Sequence, residues 1–260
     1  MINFEQAKEV FKKYLQDYDL EHGKIELKIR HTYGVVSASE YISKKLFLDN
    51  ENIELAKLIA LLHDIGRFEQ IKRFDCFIDS KTIDHAVLGN DILFKDNLIR
   101  KFIKDTKYDD IISKAILNHN KLDIEKGLNE IELLHAKIIR DADKTDNFRV
   151  KAEENFENVI DNVTKEILEN DVISDKIFND FMNNKVIIHK DRKTFMDFWV
   201  SYIAFIFDFN FVPGLEYIEE NDYINKIVDR LDYKNIDTKE KMEKIKSHAN
   251  KYVKSKLNKI

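Results

Sequence analysis

The chain has 260 residues, enough for one or two domains with a buried core that needs no disulfide staples. Only 6 Gly and 1 Pro exclude collagen-like, Pro-rich and Gly-rich architectures and argue against an all-β fold with many turns. With 43 Lys+Arg against 48 Asp+Glu, the net charge of −5 gives no global attraction to nucleic acid or to an anionic membrane.

Phe4, Ala7, Phe11, Tyr14, Leu15 and Tyr18 recur at spacings of three and four and predict a helix over 4–18. A second helix is expected over about 25–46 and a third over about 53–63. The third carries Leu55, Ala56, Leu58, Ile59, Ala60, Leu61 and Leu62, is apolar nearly all round, and should lie buried at the centre. Asp49 and Asn50 can cap its start, and Gly66 can supply a left-handed residue near its end. Further helices are expected over about 83–95, 108–119, 130–149, 151–168, 174–183, 192–208, 214–231 and 238–258, with Pro213-Gly214 the clearest break in the second half. The fold class expected is all-α.

The longest apolar stretch, Phe198 to Phe207, is about half the ~20 residues that a membrane span needs, so no membrane partner is expected. Met1-Ile2-Asn3-Phe4-Glu5 lacks the basic-then-apolar pattern of a signal peptide, and the single Cys76 fits a reducing compartment. A cytoplasmic location follows as an expectation. The Lys-rich segment 239–259 reads as an amphipathic helix with a solvated basic face rather than a nucleic-acid contact. The aromatic run from Phe195 to Phe209 reads as core or as the face of a homodimer.

Several polar residues continue apolar, inward-pointing helical stripes. His31 shares its face with Leu27, Gly34, Val35 and Ala38, small enough to let another element approach. His63 lies one turn beyond Ile59 and Ala60, His119 follows Ala115 and Ile116, and Asp143 follows Ile139. Inward polar groups are costly unless they find partners, and several converging from different helices can satisfy one another through a cation. His63 and Asp64 are neighbours, and neighbours on a helix point ~100° apart, so both can reach one centre only near a helix end.

The ordered set His31-Thr32, Leu61-Leu62-His63-Asp64-Ile65-Gly66-Arg67, Asp84-His85-Ala86-Val87-Leu88-Gly89, Asn118-His119-Asn120-Lys121 and Ala142-Asp143-Lys144-Thr145-Asp146 resembles the HD-domain superfamily of metal-dependent phosphohydrolases. The resemblance implies a helical bundle over 1–150 with an N-terminal flanking helix, extended over 151–260 by C-terminal helices packed on the same core. It implies His31, His63, Asp64 and Asp143 as the ligands of one metal. His85 and His119 match the extra histidines of members that hold two metals, where Asp64 would bridge the ions. The chain shares His63-Asp64-Ile65-Gly66 with the HD-GYP subgroup but lacks its Gly-Tyr-Pro motif, so cyclic dinucleotides are not supported as substrates.

Imidazole and carboxylate without thiolate suit Fe, Mn, Co, Ni or Zn, while carboxylate alone would suit Mg. Asp64 is the expected catalytic centre, with Arg67 and Lys144 as cations for a phosphate. Asp146 and Asn147 share the face of Asp143 and can orient a ligand imidazole. The expected activity is hydrolysis of a small phosphomonoester or nucleotide. The alternatives are a di-iron oxygenase of the same superfamily and a nucleotide-binding sensor module.

Overall fold

The computed structural model describes residues 2–160 and 163–258. All its regular elements are helical, and no strand occurs among the described residues. The chain is therefore all-α, and it divides into two compact units, one up to Asp146 and one from Asn147 onward.

The first unit contains α1 (Phe4–Leu15), α2 (Gly23–Lys45), α3 (Asn50–Leu62), α4 (Ile65–Phe74), α5 (His85–Asn90), α6 (Ile99–Phe102), α7 (Asp109–His119) and most of α8 (Glu130–Glu153). Local chemistry starts several of them. The Asn3 side chain accepts from the Gln6 amide at 3.0 Å and caps α1, whose Phe4, Ala7, Phe11 and Leu15 are buried as their spacing predicts. The Asp49 carboxylate accepts from the Asn52 amide at 2.8 Å and caps α3. From Leu55 to Leu62 all seven apolar side chains of α3 are buried, and α3 packs along α2.

Three expectations change between residues 63 and 95. The chain does not leave helix after His63 but breaks at His63-Asp64 and starts α4 at Ile65. Gly66 has no left-handed backbone; it sits in the first turn of α4 where α5 crosses. A Cβ there would lie 2.2 Å from the carbonyl oxygen of His85 and 2.5 Å from the amide of Gly89. The missing side chain permits helix contact rather than a turn. The helix expected over 83–95 starts at His85, capped by Asp84, and passes into a π turn over Asp91–Lys95.

The second unit holds α9 (Phe156–Val159), α10 (Lys165–Asn170), α11 (Asp175–Met182), α12 (Phe195–Ile203), α13 (Val212–Glu220), α14 (Tyr223–Asp229) and α15 (Ile236–Leu257). Its core gathers Phe181, Met196, Trp199, Met242, Ile245 and Val253 among others. The expected helix 151–168 is instead the end of α8, then α9 and the start of α10; positions 161 and 162 lie outside the described residues. The expected helix 214–231 is split, because Asp222 takes a left-handed backbone, φ 55°, between α13 and α14. A short polar side chain tolerates that region, and periodicity alone does not reveal it. The α15 stripe Met242, Ile245, Ala249 and Val253 is buried, as expected of an amphipathic helix. Among the described residues no helix is long and apolar enough to cross a membrane.

Candidate metal centre

The break between α3 and α4 places the His63 and Asp64 side chains on one side. His63 ends α3 with helical dihedrals, and Asp64 turns away at φ −104° and ψ 17°. His31 comes from mid α2, His85 opens α5, His119 closes α7 and Asp143 lies within α8. All six expected ligands meet. His31, His63 and Asp64 offer ligand atoms within 4.8 Å of one another, and so do Asp64, His85 and His119.

The two oxygens of Asp64 face different groups. Oδ2 lies 3.7 Å from His31 Nε2 and 3.5 Å from His63 Nε2. Oδ1 lies 3.3 Å from His85 Nε2 and 3.7 Å from His119 Nε2. Asp143 belongs to the Oδ2 half, with Oδ1 at 3.0 Å from His31 Nε2 and 3.9 Å from His63 Nε2.

Each imidazole points Nδ1 at an acceptor. His31 Nδ1 lies 2.7 Å from Asp146 Oδ2, and His63 Nδ1 lies 2.7 Å from the Ala60 carbonyl. His85 Nδ1 lies 2.7 Å from Asp79 Oδ2, and His119 Nδ1 lies 2.6 Å from the Ile116 carbonyl. Carboxylates and carbonyls only accept, so these contacts assign the proton to Nδ1 and leave Nε2 as a lone pair. The Nε2 atoms of His31 and His63 are buried without a hydrogen bond, and those of His85 and His119 meet at 2.9 Å. Buried lone pairs and carboxylates that face one another repel unless a cation lies among them. The donor set therefore fits one or more divalent cations, and imidazole with carboxylate is transition-metal chemistry.

Burial pushes His63 and His85 down to about 4, so both are neutral donors at neutral pH. At His31, burial and Lys28 press the pKa down, but Asp143 and Asp146 outweigh them and the net shift is upward. Burial also opposes the charge on Asp64, yet Lys28 and the surrounding imidazoles hold its carboxyl well below the usual range. Asp143 is lowered too, because His31 and His63 outweigh its burial.

Lys28 and Asp79 escaped the sequence reading. Lys28 Nζ donates to Asp64 Oδ2 at 2.6 Å. It lies one turn before His31, so helical spacing could have found it. Asp79 opens a single 3-10 turn, Asp79–Lys81, between α4 and α5, too short for any periodicity to point to it.

Arg67 is at the edge of the centre, with Nε 3.7 Å from Asp64 Oδ1. Its Nη1 donates to Gln70 Oε1, the Phe77 carbonyl and Asp79 Oδ1, each at 2.7 Å. Lys144, the other expected cation, is buried on α8. The small face around His31 does admit another element: a Cβ on Gly34 would lie 1.8 Å from Asp146 Oδ1.

Residues 29–147 match the family described as HD domain. None of the curated proteins and none of the solved structures matches the chain. The matched segment holds all six converging residues and Asp146, and the family is mostly metal-dependent phosphohydrolases. The segment 29–147 is thus similar to the HD-domain superfamily.

Proposed function

We propose that the first unit is a metal-dependent phosphohydrolase with two divalent cations, acting on a small phosphomonoester or nucleotide. The observation that carries this reading is the division of Asp64: one oxygen faces His31 and His63, the other His85 and His119. A carboxylate so placed would help to hold a divalent cation on either side, with His31 and His63 on one and His85 and His119 on the other. When bound, such ions supply charge that polarises a phosphoryl oxygen and acidifies water near neutral pH.

The chain's own residues prepare the rest. Nδ1 contacts fix four imidazoles in the tautomer that presents Nε2 inward. Burial of His31, His63, Asp64, His85 and His119 limits water and raises the strength of every charge contact. Asp143 is the most open of the six, with a side chain 23% exposed, which marks the side from which a substrate reaches the centre. Lys28, 17% exposed and beside Asp64, is placed to meet an anionic substrate.

The test is hydrolysis of a panel of phosphomonoesters and nucleotides by protein loaded with Mn or Fe, beside the Asp64→Ala variant. Turnover by the parent and loss of at least a hundredfold in the variant are expected. No turnover by either sinks the reading. Substrate-dependent oxygen uptake by the iron form, with phosphoesters left intact, would instead favour the di-iron oxygenase.

A further inference from the structure

The segment between α4 and α5 is tied down from one side and grips the centre on the other. From α4, Arg67 Nη1 holds the Phe77 carbonyl and Asp79 Oδ1. Gln70, fully buried, donates through Nε2 to Asp79 Oδ1 at 3.0 Å, Thr82 Oγ1 at 2.8 Å and the Ile83 carbonyl at 2.9 Å. Asp79 thus receives two donors from α4 on Oδ1 and has only Oδ2 left for His85 Nδ1, at 2.7 Å. An ionised carboxylate carries no proton, so Asp79 Oδ2 can only accept from His85 Nδ1.

We infer that Asp79 is a positioning residue that sets the tautomer of His85, and that Arg67 acts through Asp79 rather than on the substrate phosphate. This rests on the metal-centre reading given above. The relay serves only the Asp64 Oδ1 half. His31 takes its tautomer from Asp146, His63 from Ala60 and His119 from Ile116.

The direction of the Asp79→Asn change follows from donor and acceptor counting. The amide oxygen must stay toward Arg67 and Gln70, because an NH2 group there would face two donors. The amide nitrogen then faces His85 Nδ1. That atom must accept, its proton moves to Nε2, and the lone pair aimed at the centre is lost.

The experiment uses the full chain. Zinc per chain is measured by equilibrium dialysis, and the His85 tautomer is read from 15N imidazole spectra of metal-free protein. The parent is expected to bind two zinc ions and to carry the His85 proton on Nδ1. D79N should keep one ion at parental affinity, bind the other 10–100-fold more weakly, and carry the His85 proton on Nε2. Arg67→Gln should weaken the same single ion, an effect that a phosphate contact would not produce. A folded D79N that binds two ions as the parent does, or that keeps the proton on Nδ1, overturns the inference. Should D79N fail to fold, a parental His85 proton on Nε2 overturns it alone. A parent that binds fewer than two ions sinks the two-metal reading instead, and the tautomer still decides the role of Asp79.

Discussion

Gly34 and Asp146 meet where α8 crosses α2, and the fit leaves no room for a β-carbon: one built on Gly34 lies 1.8 Å from Asp146 Oδ1 and 2.4 Å from its Cγ. The same carboxylate holds His31 Nδ1 through its other oxygen. Gly34→Ala is therefore expected to push Asp146 away from His31. Overpacking of this kind costs about 1–3 kcal/mol, and loss of a partner that orients a ligand imidazole costs about 10–100-fold in metal affinity. Urea unfolding and zinc titration check both. Parental zinc affinity in G34A would show that Asp146 does not orient His31.

Lys28 and any cation at Asp64 contend for the same oxygen, Oδ2. The pair is mostly buried, with side chains 17% and 4% exposed. Lys28→Met leaves the Asp64 charge without its nearest cation, at a cost of roughly 3 kcal/mol in metal-free protein. A divalent ion replaces that charge. The rise in melting temperature on adding Mn should therefore be larger in K28M than in the parent. An equal rise would refute the competition.

His135 offers a pH effect away from the centre. It is buried on α8, with Nε2 3.0 Å from Asn52 Oδ1 and Nδ1 unpartnered, and burial lowers its pKa from 6.5 to about 4. The folded value lies below the unfolded one, so between these limits the unfolded chain binds a proton that the folded chain refuses. Stability is complete above the upper limit and declines as pH falls through the window. His63 and His85 add slope of the same sign, while the raised His31 opposes it. For His135 alone the loss near pH 5 is about 2 kcal/mol. The urea midpoint of His135→Gln should fall less between pH 7 and pH 5 than that of the parent.

Asp197 anchors the second unit. Buried at the start of α12, it accepts from the amides of Ser174 and Lys193 at 2.9 Å, from that of Thr194 at 3.3 Å, and from the Ser174 hydroxyl. Asp197→Ala strands these donors and should destabilise the protein by about 3 kcal/mol in urea unfolding. A loss below about 1 kcal/mol would show that water replaces the carboxylate.

Helices with one long stripe were legible from spacing alone. α1, α3, α7, α11 and α15 lie within a few residues of their expected places because burial of a stripe fixes both period and face. Breaks were harder. The left-handed Asp222 and the restart at Ile65 depend on single backbone choices that leave the hydrophobic period intact. Gly66 serves helix contact rather than a turn, and spacing does not separate the two, because a glycine that permits contact and one that permits a turn look the same until the neighbouring helix is in place.

The sequence by itself determined the helical class, the order of the inward histidines and aspartates, and the family they resemble, since each is a property of residue type and spacing. Only the tertiary structure decided which oxygen of Asp64 faces which imidazoles, that Lys28 reaches that carboxylate, and that Arg67 donates to Asp79. Those relations join residues far apart in the chain through helix crossings and a non-periodic loop. Their distances are set by packing, which no local pattern encodes.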